Sequence, residues 1–363
     1  MSKNLLLEVR GLRVEYRDRG RGHVAVDDVS LEVLHGENVG LVGESGSGKS
    51  TIANAILGLV GIEAGQICFE GRDVAQLSFK QRRSFYREAQ IVFQDPYSSL
   101  NPARTIGQAL AEPLQALSGY SLGAARPLVS EMIARVGLPS GSEHLYPREL
   151  SGGQRQRVAI ARALIVSPRL VICDEATSAL DLSVQAQVLN LLQDLQASAG
   201  LSFLFVSHDL EVVTYMCDRV VVLYGGQVME AGSAAAVFQS PAHPYTRALC
   251  QAAPVPDPRL QRQRRAGGRT GAGHSEGRAA PVANGCAFAP RCQHAQPRCW
   301  TERPRPQASD NNGQVACHRF PEWRAEVVDS AQPAQGRRAA AGSSSRLTDM
   351  MPGPSADTEG VAV

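Results

Sequence analysis

The stretch "NVGLVGESGSGKSTIANAILGL", residues 38–59, decides the fold. Its first five residues read as an apolar strand, and from Lys49 to Leu59 the apolar spacing turns helical. Between them "GESGSGKS", residues 43–50, fits G-x-x-x-x-G-K-[ST] without departure. A strand before and a helix after are the context this pattern needs. Glycines let the backbone curl so that successive N–H groups point at one place, and the helix start adds partial positive charge there. Such a loop seats phosphates. Lys49 supplies a full charge to the β- and γ-phosphates, and Ser50 offers a hydroxyl to Mg²⁺. The expected phosphate-binding residues are Gly43, Glu44, Ser45, Gly46, Ser47, Gly48, Lys49, Ser50 and Thr51.

A site of this kind needs an acidic metal partner at the end of a neighbouring strand. "LVICDE", residues 170–175, provides one: four apolar residues bury the strand, and Asp174 and Glu175 stand at its carboxyl end. Asp174 suits Mg²⁺; Glu175, pointing elsewhere, suits an attacking water, which suggests hydrolysis. An isolated Asp-Glu after a strand is more often a helix cap, and only the pairing with Lys49 favours catalysis.

The rest of the chain supports an α/β class. Residues 4–43 read as short strands ("LLLEV", "LRVEY", "VSLEVL", "NVGLV"). Strand signals return at "QICFE" and "AQIVF", and residues 97–165 are mostly helical in pattern. "RLVIC" and "SFLFVS" read as buried strands, "SVQAQVLNLLQDLQ" as an amphipathic helix, and "DRVVVLYGGQVMEAG" as two strands joined at Gly225-Gly226. Strands alternating with helices predict a parallel sheet flanked by helices. The 363 residues allow one large domain plus an extension, and a net charge of +2 gives nucleic acid little support as a partner. No apolar run approaches bilayer length, and "MSKNLLLEVRGL" is too soon charged for a signal peptide. A cytosolic chain is expected, with its eight cysteines reduced or metal-bound.

A second anion-binding helix start lies in "LSGGQRQR", residues 150–157: a capping serine, two glycines, then a helical run. One chain with one nucleotide has no evident need of two. A capped helix without any ligand remains the plain alternative.

With these motifs placed, the chain resembles the nucleotide-binding subunit of an ABC transporter over residues 4 to about 250. The family's signature matches Ser151, Gly152, Gly153 and Gln154; its Q-loop glutamine matches Gln94 in "IVFQDP"; its D-loop matches "SALD", ending at Asp181; its switch histidine matches His208 in "FVSHD". The resemblance implies a P-loop ATPase core with an N-terminal antiparallel β-subdomain and a helical subdomain. It places Tyr16 where an aromatic stacks on adenine, and Gln94 with Ser50 and Asp174 around Mg²⁺. It gives Glu175, His208 and Gln94 the catalytic roles and puts Asp181 at a dimer interface. It also implies that two cassettes pair head to tail, each ATP lying between the phosphate loop of one and the signature of the other. A closed two-fold interface repeats one contact twice.

"VFQDPYSSLNP", "HPYTRAL" and the late cysteines look like the ATPases of bacterial peptide importers, whose group also includes nickel and glutathione importers. The implied partners are a second ABC ATPase subunit, two integral-membrane permease subunits and, indirectly, an extracytoplasmic solute-binding protein. The implied location is the cytoplasmic face of the inner membrane. The competing reading is a non-transport ABC ATPase acting in DNA repair or on ribosomes; the single cassette and the short interval from Lys49 to Ser151 argue against it.

Cys286, Cys292, Cys299 and Cys317 are spaced C-x5-C-x6-C-x17-C, which is neither a zinc ribbon nor the ferredoxin run. By spacing alone a metal site and unliganded thiols stay equally open. The resemblance implies a [4Fe–4S] cluster, with zinc the alternative and His294 and His318 the spare ligands. Because every nucleotide motif lies before residue 210, that site is expected to be dispensable for ATP binding. The expected organisation is a cassette over 4–253 (helical subdomain about 97–165), a linker or mobile loop over 254–283, a cysteine-rich extension over 284–323 and a disordered tail over 324–363.

Overall fold

The computed structural model describes residues 4–18, 21–95, 99–178, 180–252, 282, 284–309 and 313–324. The expected linker and tail lie outside the described residues, apart from Val282 and Arg324.

Two sheets carry the chain. The first is antiparallel, in the order β2 (Arg21–Leu34), β1 (Leu5–Asp18), β4 (Ala64–Phe69), β5 (Arg72–Asp73). The second has eight strands. Its parallel part runs β6 (Ala89–Val92), β7 (Leu170–Asp174), β8 (Ser202–Ser207), β3 (Asn38–Val42), β9 (Arg219–Tyr224). Beyond β9 it turns antiparallel through β10 (Gln227–Ser233), β12 (Gln314–Val315) and β11 (Gln307–Ala308).

The parallel strands are near-continuously apolar because both faces are covered. Alternate residues go to opposite sides. Leu41, Ile172, Leu204 and Val221 join the core shared with the antiparallel sheet and helix α1 (Lys49–Ile56). Val42, Val171, Phe203 and Val220 join a second core. That core holds helices α3 (Ile106–Pro113), α4 (Leu122–Arg135), α5 (Gly152–Leu164) and α6 (Leu182–Ala199). The phosphate-loop helix and the signature helix therefore lie on opposite sides of the sheet.

Several helices have no counterpart in the sequence reading, among them Leu210–Met216, Pro244–Ala252 and a longer one before them. Helix α2 (Phe79–Glu88) buries only Phe85, so no apolar stripe announces it.

The cysteine-rich segment is sewn onto the sheet edge. β12 pairs with β10 through Glu230↔Val315 and Ala231↔Gln314, and the Ala316 N–H donates to the Met229 carbonyl at 2.9 Å. Trp323 is 1% exposed and donates its indole N–H to the Ala242 carbonyl at 2.8 Å.

Candidate functional site

Strand β3 is buried throughout and delivers the chain to Gly43. Here φ is +156°, and a Cβ would stand 2.2 Å from the Leu223 carbonyl oxygen, so only glycine passes. At the helix start Gly48, with φ +101°, meets the Ala25 carbonyl oxygen in the same way. Lys49 is 5% exposed and folds back over the loop, donating to the carbonyls of Gly43 (2.8 Å) and Glu44 (3.0 Å). Burial pulls its ammonium below the ordinary lysine range, opposed by the charges of Glu175, Asp174 and Glu44. Loop carbonyls hold the lysine where a phosphate would otherwise be its partner.

The other catalytic candidates arrive at the same sheet edge, because β3, β6, β7 and β8 are parallel and end together. Asp174 ends β7 and accepts a hydrogen bond from Ser50 Oγ at 3.0 Å. Burial raises its carboxyl; the Ser50 bond opposes that, and Glu175 adds to the rise. Ser50 and Asp174 are thus adjacent oxygen donors suited to a hard cation such as Mg²⁺. Glu175 has φ +48°, a left-handed backbone that costs a non-glycine residue roughly 1–3 kcal/mol and recurs at functional sites. That turn aims it away from Asp174's partner: Glu175 Oε1 stands 3.2 Å from His208 Nδ1, just past β8. Gln94, beyond β6, donates to Ser178 Oγ over a long 3.4 Å, and Ser178 donates to the Glu175 carbonyl at 2.9 Å. A cavity of about 100 Å³ is lined by Glu175, Ser178, Gln185, His208 and Asp209 among others. Tyr16, 43% exposed on β1, points its hydroxyl at Thr51 Oγ1, 3.4 Å away.

The signature residues stand apart from this edge. Ser151 is the N-cap of α5, its hydroxyl accepting from the Gln154 N–H at 3.3 Å while Gln154 Oε1 accepts from the Ser151 N–H at 2.9 Å. Gly153 is explained by packing, since a Cβ there would meet Val184 at 2.4 Å. Gly152 is not: nothing lies within 4 Å of its Cβ position and its φ is unexceptional. Asp181 caps α6, accepting from the Val184 N–H at 2.9 Å and from Ser183 Oγ at 2.7 Å, and the Val184 bond leads the causes that lower its carboxyl. Ala179 of the D-loop lies outside the described residues.

The four late cysteines converge. Cys286, Cys292, Cys299 and Cys317 line one small cavity, with free space of about 10 Å³, together with His243, His294 and His318. All four are free thiols, and burial pushes Cys292 up to about 11 and Cys317 up to about 12. Backbone N–H groups point at each sulfur: from Phe288 and Ala289 to Cys286, His294 to Cys292, Gln296 to Cys299 and Arg319 to Cys317. The donor set is soft and suited to thiophilic metals. Among the described residues, however, no three His, Cys, Asp or Glu side chains gather as a single metal ion requires.

Two contacts of the phosphate loop, and a third beside it, escaped the sequence reading. Tyr245, in "HPYTRAL", is 1% exposed and accepts from the Glu44 N–H at 3.0 Å. Arg291, between two of the cysteines, pairs with Glu44 Oε2 at 2.7 Å. Arg303 pairs with Asp27 at 3.0 Å, beside the Gly226 turn that donates to Ser47. No local pattern marks these residues, because their partners are remote in sequence.

The comparisons agree with this geometry. The ABC transporter family profile matches residues 26–178, and that of the oligopeptide/dipeptide transporter C-terminal region matches residues 229–299. A Brucella ovis protein provisionally named a peptide import ATP-binding protein is 47% identical over 305 residues, covering 84% of this chain and 94% of that one. The oligopeptide transport ATP-binding protein OppF of Haemophilus influenzae is 44% identical over 329 residues, covering 87% and 97%. Among solved structures, the ATP-binding cassette MJ0796, in a dimeric post-hydrolysis state with ADP and Pi, superposes with a TM-score of 0.57. It is 29% identical and covers 63% of this chain and 99% of that one.

Proposed function

The chain belongs to the ABC transporter ATP-binding subunits, in the group with the oligopeptide/dipeptide C-terminal region, and from that membership we propose that it hydrolyses ATP to drive peptide import. The observation that carries the hydrolytic reading is the meeting of Ser50, Asp174, Glu175 and His208 at one sheet edge beside Lys49. Nickel or glutathione are the cargo alternatives. A role on DNA or ribosomes is disfavoured by the C-terminal match.

The chemistry follows from positions. Lys49 leaves the loop carbonyls for the β- and γ-phosphates, regaining the anionic partner its burial demands. Ser50, Asp174 and Gln94 would hold Mg²⁺, which supplies charge neutralisation for the phosphates. Glu175 accepts a proton from the water that attacks the γ-phosphorus, and His208 fixes the Glu175 carboxylate. The bond to the β–γ bridging oxygen breaks, leaving ADP and phosphate. Tyr16 stacks on adenine.

Ser151, Gly152, Gly153 and Gln154 serve the ATP of a second cassette, with Asp181 at the interface. Two features support this. Ser151 and Gly152 need nothing more from their own chain, and their helix packs on the far side of the sheet from α1. The assembly comprises a second ABC ATPase subunit and two permease subunits, fed by an extracytoplasmic solute-binding protein. It places this chain peripherally on the cytoplasmic face of the inner membrane. Among the described residues no helix is long and apolar enough to cross a membrane. The cassette boundary at 253 and the extension over 284–323 belong to the same proposal. The cysteine cavity would hold a [4Fe–4S] cluster, with zinc the alternative: four soft donors line one space, each with a backbone N–H pointing at its sulfur.

Glu175→Gln tests the hydrolytic assignment. ATP binding should persist while steady-state phosphate release vanishes. Turnover near the wild-type rate would remove Glu175 from the role of base.

A further inference from the structure

Glu44 is the one phosphate-loop residue gripped from outside the ATPase motifs on two sides. Its N–H goes to the Tyr245 hydroxyl and its carboxylate to Arg291. The Arg291 guanidinium lies 5.6 Å from the Tyr224 ring centroid and 5.8 Å from that of Phe288. Tyr224 packs on Tyr245 at 4.7 Å and on Phe288 at 5.3 Å. An aromatic block thus joins the loop to the extension. Arg291 closes the single turn Ala289–Arg291, which Cys292 caps; Ala289 and Cys292 themselves line the cysteine cavity.

The charge arithmetic has a sign. Glu44 is an anion inside a loop built to receive anions. Paired with Arg291 it is neutralised; unpaired, it repels the incoming phosphates. We propose that Arg291 is a positioning residue for the ATP site: reaching in from the cysteine-rich extension, it neutralises Glu44 and holds the phosphate loop, and without it ATP binds more weakly. The inference rests on the ATP reading above.

The test is equilibrium binding of MgATP to the full chain carrying Glu175→Gln, which prevents turnover. The pair is 43% exposed on both sides, so Arg291→Met should raise Kd about two- to fivefold, with Arg291→Lys intermediate. Adding Glu44→Gln to Arg291→Met should bring Kd back toward the starting value, because the unpaired anion is gone. A merely structural Arg291 predicts a double variant as weak as the single one. An unchanged Kd in Arg291→Met, or no recovery in the double variant, overturns the clamp. Failure of the parent chain to bind MgATP at all would instead defeat the ATP reading itself.

Discussion

Ser151 can be a helix cap, a ligand for a facing nucleotide, or both, and one series of substitutions separates these. Ser151→Ala deletes only the longer of two reciprocal bonds, the 3.3 Å bond from the Gln154 N–H; the 2.9 Å bond from Ser151 N–H to Gln154 Oε1 survives. Ser151 is exposed, so no cavity forms. The loss should be about 0.5–1 kcal/mol, the low end for an N-cap, and the chain stays folded. Hydrolysis should fall far more, by about 10²–10³, if Ser151 is a preorganised donor to a partner's γ-phosphate. Ser151→Asp decides the matter. Aspartate caps as well as serine and suits the positive helix end, so melting temperature should recover. Yet it would put an anion opposite the phosphate, so activity should stay low or fall further. The assays are thermal melting of the chain and phosphate release from the assembled transporter. MgATP binding to the isolated chain should be unaltered throughout, since Lys49 and Ser50 lie across the sheet on α1 and Asp174 ends β7, none of them touched by the change. Turnover recovering with stability in Ser151→Asp would show that capping is the residue's whole role.

Gly152→Ala should stabilise the chain by up to about 1 kcal/mol, because nothing opposes its Cβ within 4 Å, while lowering hydrolysis in the assembly; unaltered hydrolysis would count against a facing ligand. Gly43→Ala should abolish ATP binding, since its Cβ collides with the Leu223 carbonyl at 2.2 Å; titration with MgATP checks this. Anaerobically purified protein should be brown, and Cys→Ser at 286, 292, 299 or 317 should lower its iron content, whereas Cys68→Ser or Cys217→Ser should not; colourless, iron-free protein after reconstitution would defeat the cluster, and stoichiometric zinc would replace it. Tyr16→Phe should leave the ATP Kd near wild type, because only a 3.4 Å contact is lost, while Tyr16→Ala should weaken binding by roughly 0.5–1.5 kcal/mol of stacking.

The catalytic edge was legible in the sequence because each part of it is local. "GESGSGKS" carries its own strand, glycines and helix within a few residues, and "LVICDE" carries its buried strand and the acids that end it. Parallel strands then bring such ends together as a matter of topology. The apolar runs of β7 and β8 likewise read as buried strands, which they are. Helix α2 was not legible, since one buried phenylalanine makes no period. Convergence of the cysteines on a single cavity, and the edge pairing of β12 with β10, were beyond any spacing rule. The contact between Arg291 and Glu44 joins residues 247 positions apart. Nothing in the neighbourhood of either marks the other, for a salt bridge is a property of two points in space and a motif is a property of one segment. The residues proposed for the ATP chemistry were therefore named from sequence alone. Which remote residues hold the phosphate loop in place was decided only when the extension folded back onto the sheet.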